Sequence, residues 1–504
     1  MAEIEADPAF GINIFGYLHA ESGVGEHSRQ LVEAVKQARI PYSAVPYTRT
    51  LTRQKHSFHD LGTGSPTFPI TIGAVNADEF PFFVDDVGED FLRSTYTIGL
   101  WAWEIETFPP SLATSQDFVD EIWANSRFSA RAIRQQVQRP VLPFPLPVSV
   151  PRVSSQNRAD LGLPEGTLFL FCFDFASVFE RKNPIATVEA FLKAFPSGKD
   201  AYLVIKSTNG DRYPNKLAEL RDAANGDPRI SVIDEYWSAE KLHAVMASCD
   251  AYVSLHRSEG FGLTIAEAMA HGKPVIATDY SGNLDFMSED NSYLVPASKV
   301  KIPPGCNPYP TGAFWAEPDV EAAALLMQEL VLNTDKVAEK ARRGQEDIER
   351  YHSPFARSSF IRSRIAEISR QLDEGVLRPL TTLPPRTQVE IRANAESPGV
   401  GFVRTVVQTE VEAIDQVVAR LTEGPDLKNP ARLGRPGLWL RQLVFRLLRN
   451  YHLYQYEVGH TLVQALRENR NHIDAIARRL DDLEKRVDAI AATPADLNVP
   501  DDRE

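Results

Sequence analysis

At 504 residues the chain is longer than one hydrophobic core organises, so two or three domains are expected. The composition is that of a globular protein, 43% hydrophobic and 24% charged, with enough apolar residues to bury large cores. A formal net charge of -14 argues against nucleic acid as the main partner, because phosphate binding leaves a basic footprint.

The chain opens on MAEIEADPAF, which is acidic and lacks an apolar signal core. The first element, INIFGYL (Ile12 to Leu18), is a short apolar run with β-branched residues and reads as a buried parallel strand. A glycine-bearing loop, HAESGVGEHS, leads into RQLVEAVKQA, where Leu31, Val32 and Val35 have helical spacing. Strand, glycine loop and helix form the start of a βαβ unit. TIGAV (Thr71 to Val75), TIGLW (Thr97 to Trp101) and DEIWANS (Asp120 to Ser126) are the next strands. Trp101 and Trp103 alternate along a strand end, so one of them is expected to face a cleft and the other the core.

From Arg139 to Pro151 the chain reads RPVLPFPLPVSVP, an extended connector and a domain boundary, since proline suits neither a helix nor a sheet interior. The alternation then restarts with LFLFCFDF (Leu168 to Phe175), AYLVIKS (Ala201 to Ser207), ISVID (Ile230 to Asp234), AYVSL (Ala251 to Leu255) and KPVIATD (Lys273 to Asp279). Two successive α/β halves predict two facing doubly wound domains, spanning 1–148 and 149–375, with a ligand cleft at the carboxyl ends of the strands. A helical pair is expected near 319–372, then a linker over 376–430 and a helical tail over 431–504.

Cys172, Cys249 and Cys306 are far apart and none belongs to a Cys-x-x-Cys pair. They fit a reducing compartment and supply neither a disulfide framework nor a metal-ligand set. No apolar run is long enough to span a bilayer, so a cytoplasmic protein is expected.

Three loops carry candidate chemistry. Gly23-Val24-Gly25 sits between a strand and a helix, where backbone amides can approach an anion; a tight turn without a ligand is the plainer alternative. A nicotinamide fingerprint would want a glycine where Ser28 stands and an acid about 20 residues on, and the stretch there, YSAVPYTRT, has none. In FDFASVFERKNP, Arg181 and Lys182 are adjacent bases at a strand-to-helix turn, a forked donor beside a mobile point charge, suited to a diphosphate or else simply solvated. In SEGFGLTIAEAMAHGKP, Glu259 and Glu267 lie eight positions apart, and a carboxylate suits vicinal hydroxyls. Gly260 and Gly262 would let the N–H groups of Phe261, Gly262 and Leu263 come close to a ligand.

SLHRSEGFGLTIAEAMAHGKPVIATDYSGNLDFM (Ser254 to Met287) resembles the donor-binding segment of family-4 retaining glycosyltransferases, which have the GT-B architecture of two facing Rossmann-like domains. The resemblance extends to FDFASVFERKNP, IFGYLHAESGVGEHSR, IGLWAWEIETFPPS and DEIWANSRF, over about residues 10 to 370. It implies that Arg181 and Lys182 hold the donor diphosphate, that Glu259 contacts the transferred sugar and Glu267 the ribose, and that Ser281-Gly282-Asn283 lines the pocket. Relatives carry a Gly-Arg pair where Asp174 to Ser177 stand here, so Arg181 would substitute for that base. The resemblance also implies a first-domain group, often a histidine, near the reacting centre; His19 and Glu104 are equally reasonable for it, and the sequence assigns neither. His256, His271 and Arg257 read more simply as structural, with Arg257 placed to pair with Glu259.

From Lys428 to Tyr456 there are six Lys or Arg residues and no acid. At helical spacing, residues 431–451 set Arg441, Arg446 and Arg449 opposite Leu440, Leu443, Val444, Leu447 and Leu448, which suits an anionic membrane surface or docking on the protein's own body. Between Leu462 and Ile490 apolar residues step by fours and threes around Asn469, a heptad seam for self-association or a helix packed on the body.

The expectation is therefore a GT-B, metal-independent, retaining hexosyltransferase, cytoplasmic or at the inner face of the membrane. Its donor would be a nucleotide-diphosphate sugar, with no separate cofactor, and its acceptor a glycan or lipid-linked chain. No Asp-x-Asp occurs to hold a metal-bridged diphosphate. A GT-B phosphorylase or epimerase, or a non-catalytic scaffold that binds nucleotide sugar, would use the same cleft.

Overall fold

Burial explains the first sheet. β1 (Ile12–Gly16) is buried along its whole length, and Gly16 leaves room for the helix Gly23–Gln37, since a Cβ there would lie 2.5 Å from Ser28 Oγ. β2 (Tyr42–Pro46), β3 (Ile70–Ala74), β4 (Tyr96–Trp101), β5 (Glu121–Ala124) and β6 (Val141–Pro143) complete a parallel sheet in the order β2-β1-β3-β4-β5-β6. The computed structural model describes residues 10–380 except 51, 152, 154–157 and 199; the tail segments 431–451 and 462–490, and all but the start of the 376–430 linker, lie outside the described residues.

The second sheet comprises β7 (Thr167–Asp174), β8 (Ala201–Thr208), β9 (Ile230–Asp234), β10 (Ala251–Ser254), β11 (Val275–Thr278) and β12 (Tyr293–Val295). Its order, β12-β11-β10-β7-β8-β9, is parallel throughout and reverses between β7 and β10, the crevice where ligands bind in open α/β sheets. Among the described residues no helix is long and apolar enough to cross a membrane.

Several features depart from the sequence reading, among them β12, a short edge strand the apolar pattern does not mark. β2 is an edge strand that the apolar pattern does not mark. β6 forms inside the proline-rich connector, and it too is an edge strand, where Pro143 costs no ladder bond. An antiparallel hairpin, β13 (Ala297–Lys301) and β14 (Phe314–Pro318), follows β12, and Ile302, Cys306, Tyr309 and Trp315 from it pack with Trp101, Trp103, Ile105 and Phe108 of the first domain. Both tryptophans are consequently buried, Trp101 at 0% and Trp103 at 4% exposure, and neither faces open cleft as one was expected to.

The last described helix, Pro354–Asp373, was grouped with the second domain in the sequence. Its residues Ile361, Ile365 and Ile368 lie in the core of the first, with Leu31, Val35, Ile98 and Trp123. Arg364 of this helix pairs with Glu121, a carboxylate wholly buried at the start of β5.

Candidate active site

The site begins where β7 ends. A short 3-10 turn, Phe175–Ser177, leads to Val178, held at φ 62°, and then to the four-residue helix Phe179–Lys182, closed by Asn183 at φ 52°. A β-branched residue in the left-handed region costs of order 1–3 kcal/mol and is kept where the surroundings over-determine it. Two left-handed residues in this short span turn the chain tightly enough to bring Arg181 and Lys182 against the loop that follows β10.

Arg181 is 4% exposed, and its fork donates to Ser258 O at 2.8 Å and Ser177 O at 3.0 Å. The same guanidinium lies 3.2 Å from Glu259 Oε2, while Lys182 Nζ lies 2.5 Å from Glu259 Oε1. Burial alone would raise the Glu259 carboxyl; the Lys182 and Arg181 cations overturn this and hold it at about 2. Arg181 therefore fastens two loops and one carboxylate, whereas Lys182 is the more accessible cation of the pair, with 16% side-chain exposure against 5%.

Glycine steers the Glu259 loop. Glu259 N–H donates to Ser281 Oγ at 2.8 Å, and Gly282 N–H donates to Glu259 O at 2.9 Å. A Cβ on Gly282 would sit 2.0 Å from Gly260 O, so this clamp closes only without a side chain. Gly262, at φ 91°, is the N-cap of the helix Leu263–Ala270, which adds to the reason for glycine there. The N–H groups of Phe261, Gly262 and Leu263 carry no hydrogen bond among the described residues, while the Phe261 ring is buried against Phe286.

Glu267, 5% exposed on that helix, has no hydrogen bond to its carboxylate among the described residues. Burial, reinforced by the facing charge of Glu26, pushes it up to about 8. Between pH 4.5, the ordinary value, and about 8, the unfolded chain has released a proton that the folded one retains. Stability should therefore fall as pH rises across that window, by about 1.4 kcal/mol per unit. Glu267→Gln should flatten this slope in denaturant titrations from pH 5 to 8; equal slopes in variant and wild type would refute the assignment.

The first domain closes over these groups. Trp103 O accepts from Ser129 Oγ at 2.5 Å, and a Cβ on Gly260 would come within 2.9 Å of Asn125 Nδ2 and 3.3 Å of Trp103 O. Glu104 O accepts from Ser258 Oγ, and the Glu104 carboxylate accepts from Tyr309 at 3.1 Å. Arg127 pairs with Asp285 at 3.1 Å. Glu26 and His27, in the first turn of the helix Gly23–Gln37, lie within electrostatic reach of Glu267 and of the Glu259–Lys182 pair respectively. Burial lowers His27 to about 4, so it is neutral near pH 7. Glu26, His27, Asn125, Ser129 and Tyr309 were not singled out in the sequence; the clue for the first two was their place directly after the glycine loop.

The remaining sequence candidates have other partners. Gly25 N–H goes to Ser22 Oγ at 3.3 Å, and its missing side chain makes room for Ala20 O; around Gly23 there is open space. His19 Nδ1 donates to His56 O at 3.0 Å. Arg257 pairs with Glu317 at 2.5 Å rather than with Glu259. His256 is wholly buried between Ser254 and Asn283, and His271 meets His243 at 3.0 Å. Lys182, Arg181, Glu259 and Glu267 are thus brought to one crevice, with Gly260 and Gly262 beside them.

Comparison with known proteins agrees with this architecture. Residues 175–301 match the family described as Glycosyl transferases group 1. A lipopolysaccharide core biosynthesis mannosyltransferase, LpsB of Rhizobium meliloti, is 28% identical over 153 residues, 29% of this chain and 42% of that protein. The match thus spans less than half of that relative's length. Among solved structures, HepE of Anabaena, in complex with UDP and glucose, superposes with a TM-score of 0.52 at 14% identity, over 71% of this chain and all of that one. Sucrose-phosphate synthase of Thermosynechococcus elongatus gives a TM-score of 0.51 at 15% identity, over 72% of this chain and 99% of that one. The fold is GT-B, with two parallel six-stranded sheets and their helices.

Proposed function

We propose that the protein is a retaining glycosyltransferase that moves a hexose from a nucleotide-diphosphate sugar to a glycan or lipid-linked acceptor in surface polysaccharide assembly. The observation that carries this reading is the Lys182–Glu259 pair beside loop amides that have no partner among the described residues and the buried Glu267, at the crevice where the second sheet reverses. The match to group 1 glycosyl transferases and the lipopolysaccharide relative support it. In this reading Lys182 exchanges part of its contact with Glu259 for the diphosphate, and the N–H groups of Phe261, Gly262 and Leu263 face the same oxygens. Glu259 takes hydroxyls of the transferred sugar and Glu267 those of the ribose.

The reacting step breaks the bond between the anomeric carbon and the diphosphate oxygen and forms one to an acceptor hydroxyl on the same face. The hydroxyl proton passes to the departing phosphate oxygen, so the step needs no side-chain base. Lys182 and Arg181 oppose the negative charge that grows on the leaving group. No metal is invoked, and the site acts on the cytoplasmic side of the membrane. Segment 431–451 would supply peripheral contact with anionic lipid, and 462–490 self-association.

The test is a panel of nucleotide sugars incubated with the full chain and an oligosaccharide acceptor. A hexose should be transferred, and NMR of the first-formed product should show the donor's anomeric configuration. An inverted product would overturn retention, and no transfer or hydrolysis of any donor would overturn the reading as a whole.

A further inference from the structure

The hairpin β13–β14 belongs to neither six-stranded sheet, since its strands pair with each other. Its two ends meet different parts of the molecule. At the foot, Ala316 N–H donates to Arg257 O at 3.0 Å, and the Glu317 carboxylate accepts from Nε and Nη2 of Arg257 at 2.5 and 2.9 Å. Arg257 in turn donates through Nη1 to Glu180 O at 2.6 Å and through its N–H to Arg181 O at 2.8 Å. The foot thus grips the loop that carries Glu259 and the short helix that carries Arg181 and Lys182.

The other end crosses to the first domain. Tyr309 is 5% exposed, its ring lies 5.5 Å from that of Trp103, and its hydroxyl donates to Glu104 Oε2 at 3.1 Å. Glu104 closes the circuit, because its carbonyl accepts from Ser258 Oγ, and Ser258 O accepts from Arg181. The contacts therefore form a ring, from Tyr309 to Glu104, Ser258, Arg257 and Glu317, and back along β14. A phenylalanine would fill the same place in the aromatic cluster. A buried hydroxyl set on a carboxylate instead fixes one arrangement over others.

Such a ring has a use in the step described above. When Lys182 exchanges part of its contact with Glu259 for a diphosphate, Glu259 keeps its place only if its loop is held from elsewhere. Arg181 holds that loop from the second domain, through Ser258 O and the carboxylate itself. The ring holds it from the first.

Resting on the glycosyltransferase reading above, we propose that the hairpin is a strap setting the Glu259 loop against the first domain, and that Tyr309 is a positioning residue for the transfer. It acts through Glu104 and Ser258. What it secures is the geometry reached in the transition state, so its influence falls on turnover and not on donor binding.

Tyr309→Phe keeps the aromatic ring and removes the hydroxyl. With the nucleotide-sugar panel and the full chain, it should lower kcat roughly ten- to hundredfold while the donor KM changes by less than about threefold. Its thermal midpoint should move by no more than about 4 °C, which separates lost positioning from lost folding. Ser258→Ala cuts the same ring at another link, so the double variant should be no slower than the slower single one. Lys299→Ala, which removes only an exposed pair with Glu106, should keep wild-type turnover. Hydrogen exchange without substrate reads the strap independently of catalysis. The amides of Arg257 and Glu259, both hydrogen-bonded, should exchange roughly tenfold faster in Tyr309→Phe. A kcat within about twofold of wild type, unchanged exchange at those amides, or multiplicative losses in the double variant each overturn the role of Tyr309 while leaving the glycosyltransferase reading intact. A wild type inert towards every donor overturns that reading instead, and the exchange rates then decide on the strap.

Discussion

Lys182→Met is expected to lower turnover by roughly two to three orders of magnitude at saturating donor, the range seen when one donor to a developing anion is removed. Nucleotide affinity should change only a few-fold. Lys182 is engaged with Glu259 at 2.5 Å, so part of what it gains from a ground-state diphosphate is offset by the contact it gives up. As the anomeric bond lengthens, charge accumulates on the departing oxygen and the balance moves toward the phosphate. The variant keeps Arg181 within 3.2 Å of Glu259, which leaves the carboxylate with one cation and the loop in place. Steady-state kinetics with nucleotide titration decide the matter. A variant with full turnover would remove Lys182 from the chemistry, and one with only weakened binding would make it a ground-state contact.

The second large effect is on stability. Arg181→Met should destabilise the chain by about 3–5 kcal/mol, the cost of breaking a buried ion pair from one side. The guanidinium is 4% exposed and holds Ser177 O, Ser258 O and Glu259 together, so its loss frees two loops at once. Arg181→Lys should recover little of this, because an ammonium cannot reproduce a planar fork. Denaturant unfolding of the full chain measures it. If Arg181→Met unfolds at the wild-type midpoint but loses nucleotide binding, the residue belongs to the donor and not to the framework.

The strands legible in the sequence were those of the two sheet interiors and one edge strand. A parallel strand covered on both faces is a continuous apolar run, as in LFLFCFDF, and such runs announced β1, β3, β4, β5, β7, β8, β10 and β11; the edge strand β9 was legible from its β-branched ISVID although only Ile230 is buried. β2 is half-exposed at an edge, β13 is almost wholly exposed, and β6 is built from proline-rich text, so none of the three shows that run. In the candidate site, glycines beside Glu259 and the paired bases Arg181 and Lys182 were legible because local backbone requirements leave local marks. What fixes them was not. Arg257 finds its partner 60 positions on at Glu317, and Ser258 is held by Glu104 O, 154 positions back; no periodicity encodes such distances.

Besides the excursion of the hairpin Ala297–Pro318 into the first domain's core, the chain passes between the two domains twice. On the first passage the side chains change core between Phe144 and Leu146; on the second they change between Ile348 and Ile361. The two passages touch, for Val148 N–H donates to His352 O at 2.7 Å. Two tethers joined at one place, with the hairpin Ala297–Pro318 packed across as well, fasten the domains at more than one point, so that Lys182 and His27 reach the same crevice from separate domains.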